Sequence, residues 1–127
     1  MDPQQELFTA LLTRLRDKGY QVYDGHLPAK GTTYPFIYLA DNQINEIPTK
    51  PYVIGEVTQS VHVYHNNVRK RGTLSAILLD IKHSARAVQE TANFGFNLVE
   101  INQQILPDDT TDQPLLHGVI EARFKFT

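Results

Sequence analysis

The chain has 127 residues, 20% of them charged and 41% hydrophobic, with a formal net charge of -2 and no cysteine. That length suits one domain, 1–127, able to bury roughly two thirds of its unfolded surface in one core. The absence of cysteine excludes disulfides and thiolate metal sites, and the charge balance argues against a non-specific nucleic-acid binder.

No apolar run approaches the roughly 20 residues that a membrane span needs, so no membrane partner is expected. The opening MDPQQELF has neither the basic nor the apolar region of a secretory signal, which makes the cell interior the default compartment.

The first predicted element is a helix over 3–18. Asp2 is placed to cap it, Pro3 suits its first position, and Gln5 stands where a capping-box partner belongs. Leu7, Leu11, Leu12 and Leu15 form an apolar stripe with Phe8 at its edge, and Lys18-Gly19 is a stop. YQVY (20–23) reads as a short strand, 24–35 as a loop rich in Gly and Pro, and FIYLADNQ (36–43) as a strand. NEIPTKPY (45–52) contains two prolines, which central strands do not accept, and is predicted to be a protruding loop.

GEVTQSVHVYH (55–65) alternates cleanly. Val57, Gln59, Val61, Val63 and His65 face one way, and Thr58, Ser60, His62 and Tyr64 the other. A second helix is predicted over 70–88 from Leu74, Ile77, Leu78, Ile81, Ala85 and Val88 at helical spacing. Lys82, His83 and Arg86 stand toward its C-terminus, where the dipole favours cations. The segment 94–106 reads as a strand, PDDTTDQP (107–114) as a loop, and LLHGVIEARFKF (115–126) as a last strand. In that strand Ile120, Ala122, Phe124 and Phe126 oppose a charged face of Glu121, Arg123 and Lys125. The order predicts an α+β fold: a mostly antiparallel sheet of four to five strands with two helices on one face.

Candidate chemistry is sparse. His62 and His65 are three apart on a strand, hence on opposite faces, and cannot share a metal; packing of His62 beside Tyr64 is the expected role. The histidines at 26, 62, 65, 83 and 117 are scattered, and no nucleophile elbow or Gly-rich phosphate loop is present. Asp108, Asp109 and Asp112 lack calcium-loop spacing. No catalytic, metal or cofactor residue is therefore assigned, and the chain is not expected to be an enzyme. The basic triplet Arg69, Lys70, Arg71 at the start of the second helix opposes its dipole, and reads either as a solvated loop or as the contact for an anionic partner. That leaves two alternatives from other classes, a small nucleic-acid-binding accessory protein using 69–71 and a small enzyme with its histidines at a pocket.

The combination TYPFIYLADNQ, EVTQSVHVYHNN, RKRG with an amphipathic helix, and PDDTTDQP before LLHGVIEARFKF resembles the tail-completion or head-tail joining proteins of long-tailed phages, which are related to tail terminators. The matching motifs are Val22-Tyr23, Tyr34 to Ile37 and His117-Gly118, and the resemblance spans nearly the whole chain. It implies a structural virion protein without catalysis or cofactor. Such a protein forms a ring, commonly hexameric, at the head-proximal end of the tail, and some stay monomeric until they meet the tail. Its partners would be copies of itself, the tail tube protein and the head connector, with DNA passing through unread. It would reside in the host cytoplasm during assembly. As interface residues we expect Ile44, Ile47, Lys50 and Tyr52 in the Pro-bearing loop, and Arg69, Lys70 and Arg71 opposite Asp108, Asp109 and Asp112.

Overall fold

A computed structural model describes residues 2–24, 32–48, 53–108 and 114–127. Among these residues the order is α1 (Pro3–Asp17), β1 (Val22–Asp24), β2 (Phe36–Pro48), β3 (Val53–His65), α2 (Arg71–Ala87), β4 (Phe96–Asp108) and β5 (Leu115–Phe126). The strands form one sheet, ordered β1-β2-β3-β5-β4. Only the β1–β2 pair is parallel. The fold is α+β.

Both helices lie where their stripes require. Leu7, Leu11 and Leu15 of α1 and Leu74, Ile77, Leu78, Ile81 and Ala85 of α2 are buried. They pack with Val57, Val61, Val63, Ile120, Ala122, Phe124 and Phe126, so both helices cover the same face of the sheet. Asp2 caps α1 by accepting from the Gln4 amide at 3.0 Å, and Gly19 ends it at φ +94. The expected capping box is not formed: the Gln5 side chain donates to Thr9 Oγ1 instead, at 3.1 Å.

The strands are longer than the sequence suggests. β2 does not end at 43 but runs to Pro48, so 45–48 are strand, and 49–52 lie outside the described residues. The proline rule misleads here because β1 pairs only with Ile37 to Leu39, which leaves the far half of β2 as an edge where a terminal proline is tolerated. The same applies to Pro107 in the edge strand β4, which runs to Asp108 rather than ending at 106. β1 starts two residues later than the predicted 20–23 and ends one later, and Tyr20 instead donates its hydroxyl to Asp80 of α2. Burial and that bond push the Tyr20 phenol up to about 12.

A register shift between Leu39 and Asn42 marks a bulge in β2. The buried Gln59 supports it. Its amide donates to Ala40 O at 3.3 Å and Asp41 O at 3.4 Å, and its Oε1 accepts from Asn42 at 2.6 Å. A polar residue in phase with Val57 and Val61 is thus satisfied by the irregularity it faces. Gly55 fits the β2–β3 hairpin where β2 passes closest: a Cβ there would lie 2.2 Å from Asn45 O.

Candidate functional site

The face of the sheet away from the helices has three zones. At one end an aromatic row crosses four strands: Tyr23 of β1, Phe36 of β2, Tyr64 of β3 and His117 of β5. The row is continuous, with ring centroids 5.6 Å apart for Tyr23–Phe36, 5.3 Å for Phe36–Tyr64 and 4.3 Å for Tyr64–His117. Tyr34 flanks Phe36 at 5.3 Å. Register builds the row, since Phe36 pairs with Tyr64 and Tyr64 with His117.

His62 belongs to this zone, and His65 lies on the helix side, as alternation requires. His62 stacks beside Tyr64 as expected, with centroids 6.4 Å apart, and lies nearer still to His117, at 4.9 Å. His62 Nδ1 lies 2.6 Å from His117 Nε2. Burial holds both imidazoles below their ordinary range, and for His117 a charge on His62 adds to the effect. Burial likewise pushes the Tyr64 phenol up. Sequence reasoning missed this cluster because it depends on the β3–β5 register. The available signal was the shared outward phase of His62, Tyr64 and His117.

The middle zone carries Thr58, Ser60 and Glu121. Beyond it, Arg123 donates to Glu56 and lies 3.4 Å from Glu100, tying β3, β5 and β4 together on the surface. These groups are solvent-screened, so their contribution to stability is small. The far end is apolar again: Ile47 pairs with Ile54, and Ile47 is 58% exposed.

The predicted interface residues fall in three places. Ile47 is on the outer face of the β2–β3 hairpin, and Ile44 is partly buried at the rim of the core. Arg69, Lys70 and Arg71 are exposed around the start of α2, where Lys70 is an N-cap without a side-chain cap bond and the first turn holds no acid. Asp108 ends β4. Lys50, Tyr52, Asp109 and Asp112 lie outside the described residues. Arg69 and Pro114 line one hollow of about 440 Å³, so the start of the basic triplet and the residue before β5 lie at the same end of the molecule. Among the described residues, no group of three or more His, Asp or Glu is placed to hold a metal, and no helix is long and apolar enough to cross a membrane.

No family model and no curated protein sequence matches the chain. Solved structures do. A chain from the virion of a native gene transfer agent particle aligns with a TM-score of 0.61 and 15% identity, covering 97% of this chain and 94% of that one. A second solved protein aligns with a TM-score of 0.58 and 16% identity, covering 99% of this chain and 97% of that one. At such identities the likeness is one of fold.

Proposed function

We propose that this chain is a structural protein of a tailed phage or prophage virion. It assembles as a ring at the head-proximal end of the tail, caps the tail tube and joins it to the head connector. The observation that carries this reading is the end-to-end match with a gene transfer agent virion chain, which covers 97% of this chain and 94% of that one. The sequence resemblance points to the same class of particle.

In this reading the protein works by contact and not by catalysis. The exposed Ile47 near the end of β2 contacts a neighbouring subunit or the tube, and Lys50 and Tyr52, outside the described residues, are proposed for the same contact. At the opposite end Arg69, followed in the chain by Lys70 and Arg71, shares a hollow with Pro114, and we assign this basic segment as a docking contact. The basic segment acts as a charged docking end for the next component of the particle, and Asp109 and Asp112, outside the described residues, are proposed as acidic contacts in the same assembly. Salt weakens such a contact.

Deleting the gene from the producing phage or prophage tests the reading. Filled heads and separate tails should accumulate, and adding the purified protein to the extract should restore joined particles. Normal yields of joined particles without the protein would contradict it.

A further inference from the structure

Among the described residues the sheet has two edges without a partner strand. On one flank β1 covers β2 only at Ile37 to Leu39, which leaves Asp41 to Pro48 without a neighbouring strand on that side among the described residues. On the other flank β4 is the outermost strand. Its first residue is partly covered, since Phe96 donates its amide to Gln89 O, and the edge is open from Asn97 onward. Long open edges present unpaired backbone donors and acceptors, and proteins that do not use them blunt them with charge, proline or bulges. Here the prolines, Pro48 and Pro107, stand at the strand ends, and Glu100 is already engaged by Arg123. Each edge also carries a bulge near one end of the segment, between Leu39 and Asn42 in β2 and between Leu98 and Glu100 in β4, and the Gln4 amide lies on Asn42 O at 3.3 Å; the stretches beyond the bulges, 43–48 and 101–106, keep regular strand geometry.

The two edges match each other. Their sequences, DNQINEIP and EINQQILPD, share an amide-rich centre, spaced isoleucines and a closing proline. Both carry an incomplete apolar rim on the helix side: Ile44 on β2, and Leu98, Ile101 and Ile105 on β4, all only partly buried against the core. They also share a level. Glu46 leads through Gly55 and Phe126 to Phe96, and Asn42 through Gln59 and Ala122 to Ile101. The directions agree as well. β2 is antiparallel to β3, β3 to β5 and β5 to β4, so β4 runs opposite to β2. Copies related by rotation about an axis along the strands bring β4 of one against β2 of the next in antiparallel fashion.

We infer that copies of this chain join edge to edge, with β4 (residues 97–106) of one pairing with the free half of β2 (residues 41–48) of the next, so that the ring is closed by a continuous sheet. The inference rests on the ring reading above and specifies its interface. Ile44 of one copy then meets Leu98 and Ile101 of its neighbour, completing both rims. Gln4 gives up Asn42 O as the incoming strand arrives.

Engineered disulfides test this directly, because the chain has no cysteine of its own. Asn45, Asn97, Asn102 and Gln104 are exposed. Asn45→Cys would be combined in turn with Asn97→Cys, Asn102→Cys and Gln104→Cys, and each double variant oxidised at high protein concentration and on purified tail tubes. Within one copy the two positions are three strand spacings apart, about 14 Å, too far for an internal bridge. A ladder of cross-linked species ending at the closed ring is expected for at least one pair. Asn45→Cys with Ser75→Cys, on the exposed side of α2, should remain uncrosslinked. Rings seen by electron microscopy with no ladder from any of the three pairs would overturn the edge pairing and leave the ring reading standing. No association of the chain with itself or with tubes would overturn both.

Discussion

His62 Nδ1 and His117 Nε2 meet at 2.6 Å across β3 and β5, a contact in which one nitrogen donates and the other accepts. It cannot survive with both rings protonated. Tyr38 and Asp41 from β2, Tyr64 from β3, Glu121 from β5 and Asp108 from β4 act on the pair, and burial outweighs the three acids in holding both imidazoles below their ordinary 6.5. Neutral rings are therefore favoured by folding. Their stabilisation is complete above the unfolded value and is lost as pH falls through the lowered folded values. Thermal melts should show the protein losing stability as the pH drops below about 6.5. His117→Phe, which keeps a ring against Tyr64, should flatten that slope. An unchanged slope would place the titration elsewhere.

Gly118, the neighbour of His117, faces the other way, and a Cβ there would stand 3.0 Å from Leu78 Cδ2. The His117-Gly118 pair thus joins the outer cluster to the seat of α2. Leu78→Ala should cost about 2–5 kcal/mol, and Gly118→Ala about 1–3 kcal/mol by overpacking. Leu78→Ala should cost less in the Gly118→Ala background, where the new methyl enters the space Leu78 leaves. Urea midpoints of the four proteins decide this, and additive costs would contradict the contact.

Arg71 opens α2 with its charge against the helix dipole. Arg71→Asp should stabilise the isolated protein by about 0.3–1 kcal/mol per charge changed. In an assembly extract the same variant should join fewer heads to tails, most clearly at low salt. Full joining activity would remove this residue from the docking end.

Ile47 is 58% exposed, so Ile47→Ser should change the unfolding free energy by no more than about 0.5 kcal/mol. The yield of joined particles should nevertheless fall. A large loss of stability would show that the side chain is buried in the free protein.

Both helices were legible because Leu7, Leu11 and Leu15, and Leu74 through Val88, declare their buried faces by spacing alone. β3 and β5 were equally plain from alternation. The reach of β2 was hidden because proline 48 is forbidden only if a strand lies on both sides, and that depends on how short β1 is. Gln59 looked like an oddity in an apolar phase until the bulge gave it partners. The aromatic row and the histidine pair needed the register of three strand pairs. The nearness of Arg69 to Pro114 needed the tertiary fold, since more than forty positions separate the two.

The proposed ring at the head-proximal end of the tail is large enough to be seen on the particle itself. Electron microscopy of tails from the gene-deleted producer, incubated with the purified protein, tests it most directly. A ring of added density is expected at one end only, and tails so capped should then join heads. Added density along the whole tube or at both ends, or bare ends on tails that still join heads, would contradict it.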